Sequence, residues 1–126
     1  MCLDTLKELP RKIRYAYKEV RKEKNKRGET VYAPTIYREG KVFRMGRWTE
    51  DFYSNRNEFI CSAYTRKPTY PKGFHCYTNK RYLRNEYCCW IKVEIDDIVA
   101  YGTQDTYVGK HNVVVARKIK PVEEIA

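Results

Sequence analysis

Residues 88 to 95 read CCWIKVEI, and their alternation constrains the fold more than any other stretch. Cys89, Ile91, Val93 and Ile95 fall on one side of an extended backbone, and Trp90, Lys92 and Glu94 fall on the other. That is the pattern of a strand with one face in a core. VVVARKIKPV, residues 113 to 122, reads as the strand that closes the sheet, with Val113, Val115, Arg117 and Ile119 sharing a face. Between the two segments, Asp96-Asp97 predicts a corner, IVAYG a further strand, and Gly102 to Asn112 a loop.

The N-terminal half carries the same period. Ile13, Tyr15 and Tyr17 alternate with Arg14, Ala16 and Lys18, which predicts a half-buried strand reaching Val20 or beyond. RKEKNKRGE is a polar hairpin tip closed by Gly28; TVYA pairs back, and Pro34 ends it. TIYREGKVFRMG predicts a second hairpin turning at Arg38-Glu39-Gly40-Lys41. Thr49 to Lys72 mixes aromatics with Asn, Ser and two prolines and reads as an irregular loop with one short strand. Thr78 suits the N-cap of a short helix over 79–87. The expected fold is a single β-rich α+β domain: a curved, mostly antiparallel sheet or partial barrel with that one helix.

Charge narrows the partners. The 126 residues carry 26 Lys and Arg against 16 Asp and Glu, a formal +10. Residues 1 to 27 hold ten of those cations and four acids. Such clustering suits an anionic partner, a nucleotide or a nucleic acid, because each neutralised phosphate releases counterions. It suits a solvated hairpin that discourages edge pairing equally well. Twelve Tyr, four Phe and two Trp add rings that serve a core or a stacking surface. The five cysteines lack any Cys-x-x-Cys spacing, and adjacent Cys88 and Cys89 face apart on a strand. Free thiols in a reducing cytoplasm are therefore expected, with no metal and no cofactor. Charged residues interrupt Leu3 to Leu9, so no secretory signal is expected, and no apolar run reaches membrane length. Self-association is left open.

Several residues stand out as candidate ligand contacts. Arg14 and Lys18 alternate with aromatic residues on one strand and would be held rigidly. FRMGRW brings Arg44, Arg47 and Trp48 together: guanidinium forks suit phosphate, and Trp48 is either a stacking ring or a core anchor. In GFHCY, Phe74 and Cys76 share one strand face, so His75 and Tyr77 share the other. With Phe74 in the core, His75 faces a pocket or water; a bond to a neighbouring strand's carbonyl is the plainer alternative. Lys80, Arg81 and the helix start place positive charge beside that second face, and Arg117 adds another cation on the closing strand. No serine-nucleophile motif, Gly-rich phosphate loop or HExxH is present, so a catalytic role is not expected.

Met1 to Leu3, Gly73 to Tyr77 and Val113 to Lys118 together resemble a group of small bacteriophage-encoded proteins of unassigned function. The resemblance implies a phage setting and a host bacterial cytoplasm. In that setting a non-enzymatic protein that sequesters a nucleotide signal of bacterial defence, a cyclic nucleotide or a cyclic ADP-ribose isomer, is the expected form. The alternative is a binder of single-stranded nucleic acid or of a host nucleic-acid-binding protein. The Gly-Phe-His step is also similar to ADP-ribosyltransferase-type folds. That likeness implies a nucleotide-shaped pocket more than an active transferase; an ADP-ribosyltransferase-like enzyme, the second alternative, would need an acid, Glu94 or Asp96, facing the same pocket as His75.

Overall fold

The computed structural model describes residues 3–10, 12–34, 42–50, 59–60, 68, 70–71, 73–80, 88–106 and 109–125. Its strands are β1 (Thr5–Leu6), β2 (Tyr15–Lys24), β3 (Thr30–Pro34), β4 (Thr49–Glu50), β5 (Phe59–Ile60), β6 (Tyr70–Pro71), β7 (Phe74–Tyr77), β8 (Cys89–Thr106) and β9 (Gly109–Ile125). Every pairing among them is antiparallel. Among the described residues there is no α-helix. The helix expected over 79–87 falls on residues that, beyond Lys80, lie outside the described ones, as does most of the 35–46 hairpin.

Seven strands form one sheet, and β5 and β6 form a separate pair. Within the large sheet β2 pairs β8, β8 pairs β9, β9 pairs β7, and β7 returns to β2 at Tyr17 and Tyr77. The pairings thus close a ring of four strands. Ala16 and Val20 of β2, Cys76 of β7, Ile91, Val93 and Ile95 of β8, and Val114, Ala116 and Ile119 of β9 make one buried cluster from all four. Tyr32 and Phe43, which bridge each other, cap it. Phe74 packs edge-on against Phe43, centroids 5.4 Å apart.

The β2 face is the reverse of the tyrosine-led reading. Ala16 and Val20 are buried and Tyr15 is exposed. Small side chains fit the inside of a closed ring, while a tyrosine keeps its hydroxyl in water from outside. The loop expected over Gly102 to Asn112 is instead the end of a long hairpin, with strand running to Thr106 and resuming at Gly109. Gly102 sits there because β1 crosses it: a Cβ at this position would meet the Thr5 carbonyl oxygen at 1.8 Å. The Asp96-Asp97 corner is present but does not break the strand. Asp97 takes φ 56°, its N–H bonds Asp96 Oδ1 at 2.9 Å, and the β8–β9 register shifts between Ile98 and Ala100. This irregularity also changes which β9 residues face inward. Val113 and Val115 pack in a second cluster with Leu3, Tyr70 and Ala100, whereas Ile119 belongs to the first. The four positions from Val113 to Ile119 therefore do not share one face.

Candidate functional site

Cross-strand register assembles a row of side chains that are far apart in sequence. Tyr15 of β2 stands opposite Glu94 of β8, and Glu94 stands opposite Lys120 of β9. Thr49 of β4 pairs with Ile119, which brings Trp48 beside Lys120. The preceding turn is fastened from both sides. Gly46 takes φ 76° and donates its N–H to Pro121 O at 2.7 Å, and Arg47 N–H bonds Arg44 O at 3.1 Å. This φ is why a glycine stands at the turn.

Two aromatic rings mark the ends of the row, and both are open to solvent: Tyr15 is 39% exposed and Trp48 47%. Two cations lie over the first and one over the second. Lys92 Nζ lies 4.6 Å and the Arg14 guanidinium 5.3 Å from the Tyr15 centroid. Lys120 Nζ lies 5.1 Å from the Trp48 centroid. Arg44 and Arg47 are exposed on the turn. Glu94 sits between the rings, with Oε1 accepting from Arg14 Nε at 3.1 Å and Oε2 lying 3.0 Å from Lys120 Nζ. The Lys120 hydrogen bond, then Arg14, hold its carboxyl below the usual range against partial burial. Flat, solvent-exposed rings beside cations on one sheet face can stack bases and attract phosphates. The core-anchor reading of Trp48 therefore does not describe this residue.

His75 and Tyr77 do lie on the face of β7 opposite Cys76, but that face is covered. Leu3 N–H donates to Tyr70 Oη at 2.8 Å, and Tyr70 Oη lies 2.8 Å from His75 Nε2. The Gly73 backbone bonds the same ring. A neutral imidazole, accepting from Tyr70 at Nε2, completes this chain of bonds. Burial first, and Lys18 second, push His75 down to about 3. Lys18 follows Ala16 on the inward side of β2, and its Nζ donates to His75 O at 2.9 Å. Burial lowers its pKa and raises that of the neighbouring Cys76 thiol. The partner at Nε2 is thus a tyrosine hydroxyl on β6 and not the carbonyl of a neighbouring strand.

Tyr77 contacts the Trp90 ring at 5.5 Å and the His111 ring edge-on at 5.7 Å. Trp90 is only 7% exposed. Arg117 is buried beside Asp97, Nε to Oδ2 3.8 Å, at the β8 corner. Lys80 is exposed, and Arg81 lies outside the described residues. The ten candidate contacts therefore separate. Arg14 and Trp48 belong to the row, Arg44 and Arg47 lie on the exposed turn before Trp48, and Lys18, His75, Tyr77 and Arg117 serve the interior.

Tyr15, Lys92 and Lys120 were not singled out by sequence. Their available signal is the outward half of each alternation: Lys92 and Glu94 beside buried Ile91 and Val93, and Lys120 beside buried Ile119. Elsewhere, the β2–β3 hairpin tip presents Lys24, Lys26 and Arg27, which have no acidic partner among the described residues. Lys22 lies 3.1 Å from Glu124. Among the described residues no group of His, Cys, Asp and Glu is placed to hold a metal ion, and no helix is long and apolar enough to cross a membrane. No family model, no curated protein and no solved structure matches this chain.

Proposed function

We propose that this chain binds single-stranded nucleic acid, without catalysis, across the face bounded by Tyr15 and Trp48. One observation carries the reading: two exposed rings, each under a cation, stand at the ends of a single cross-strand row. Bases stack on such rings whatever their identity, and the ammonium and guanidinium groups meet the phosphates between them. The formal +10 charge supplies long-range attraction of the same sign.

A free nucleotide, the ligand of a sequestering protein, would call on the same rings. The polymer is preferred because Tyr15 on β2 and Trp48 beside β4 are separated by β8 and β9, roughly 14 Å along the curved sheet surface, a path that a strand can follow and a single base does not span. The side chains that would have enclosed a small ligand, His75 and Tyr77, are taken up by internal contacts. The transferase alternative calls for Glu94 or Asp96 beside His75; Glu94 is instead bonded to Arg14 and Lys120, and the His75 ring to Tyr70.

The test is fluorescence anisotropy of labelled single-stranded oligonucleotides at rising salt, with a cyclic dinucleotide as competitor. The expected result is binding whose logarithm falls with log salt by about 0.7 per phosphate neutralised. Trp48→Ala and Tyr15→Ala should each weaken it. Tight binding of the cyclic dinucleotide with none of the oligonucleotide would replace this reading with the sequestering one.

A further inference from the structure

The acid at the centre of the row is out of place on a surface that attracts phosphate. Glu94 lies between Tyr15 and Lys120 by register, and its side chain retains 16% of its exposure. Arg14 and Lys120, each on one oxygen at 3.1 and 3.0 Å, keep it ionised. A carboxylate has about four lone-pair positions, so two bonds leave about two unused. Those acceptors lie between two stacking rings, where the edges of stacked bases would pass.

We propose that Glu94 is a base-selecting residue, accepting hydrogen bonds from the Watson–Crick edge of guanine in the bound strand. This rests on the single-stranded nucleic-acid reading above. The choice of base follows from donor patterns. Guanine presents a ring N–H and an exocyclic amine side by side, a match for two carboxylate oxygens. Cytosine and adenine place an acceptor beside their amine, and uracil flanks its one N–H with two carbonyls, so each sets a lone pair against the carboxylate. Arg14 and Lys120 fix the carboxylate's direction, so it need not be ordered on binding. The negative charge costs affinity for phosphate at every sequence, and discrimination is what it supplies in return.

The experiment compares three labelled oligouridines: one unmodified, one with a single central guanosine, and one with inosine there, which lacks the exocyclic amine. The wild-type chain should bind the guanosine strand about tenfold more tightly than the all-uridine strand, as one bidentate contact typically discriminates, with inosine between. Glu94→Gln should erase that preference and bind the all-uridine strand more tightly than wild type does. Equal wild-type binding of all three strands overturns the base-selecting role and leaves the nucleic-acid reading standing. So does a Glu94→Gln chain that weakens all three alike, the behaviour of a mere brace for Arg14 and Lys120. No binding of any strand overturns both. The wild-type comparison needs no variant to fold.

Discussion

Two regions of this molecule combine aromatic rings with lysine, and they put the same groups to opposite use. Around Tyr70, His75 and Lys18, each polar atom at the centre is bonded inward: Leu3 N–H to Tyr70, Tyr70 to His75, and Lys18 to the His75 carbonyl. At the Tyr15–Trp48 row the rings stand in solvent, and the only groups over their faces among the described residues are cations. Residue type does not separate the two. Position relative to the closed ring of strands does. Inside it, or under the second cluster, a polar group must find a protein partner or lose about 1–3 kcal/mol. Outside it, water satisfies the same group at little cost.

Truncation should separate the regions most strongly. Phe43→Ala removes a fully buried ring that fills the main cluster, and it should cost about 3–5 kcal/mol in urea unfolding. Trp48→Ala should change stability by less than about 1 kcal/mol. Comparable losses from the two would mean that Trp48 is part of the core and the contrast fails.

Acid should reach the interior region first. His75 is held neutral in the fold, near 3, against an ordinary value of 6.5. A histidine with a depressed folded pKa contributes stability that is complete above 6.5 and lost as pH falls from 6.5 towards 3. The unfolding free energy should therefore drop by up to about 1.4 kcal/mol per pH unit below 6.5. His75→Gln should be less stable than wild type at pH 7 and lack most of that slope. A wild-type chain whose stability is flat from pH 7 to pH 5 would show that His75 is not held in this way.

The smallest effect is expected at the hairpin tip. Lys24 is nine residues along β2 from Tyr15, roughly 30 Å at the usual strand rise. Neutralising Lys24, Lys26 and Arg27 together should leave binding of a short oligonucleotide nearly unchanged and shallow the salt dependence only for longer strands. If it abolishes short-strand binding, the tip and not the row is the contact surface.

What could be read from sequence follows a physical line. The inward set Ile91, Val93 and Ile95 was legible because aliphatic residues alternate there with charged ones. The corner at Asp97 was legible because adjacent aspartates tolerate positive φ and bond their own backbone. The phase of β2 was not, because tyrosine counts as apolar in a pattern yet sits outside, while Ala16 gives almost no signal. Gly102 suggested a turn, but its purpose is the approach of Thr5, 97 positions earlier in the chain. The same non-locality hid the site. Arg14 and Trp48 were identifiable by type, but Lys92, Glu94 and Lys120 join them only through the register of three strand pairs.

The most direct measurement uses the two tryptophans themselves. Trp48 is exposed and Trp90 is buried against Tyr77, so their emission differs, and a bound base quenches only the ring it stacks on. Titrating the protein with a single-stranded oligonucleotide of about ten residues should quench the exposed, red-shifted component and leave the buried one intact. Trp48→Ala should lose both that quench and about 1–3 kcal/mol of binding free energy. Binding that leaves the exposed emission unchanged, or that Trp48→Ala does not weaken, would contradict the assignment of this face.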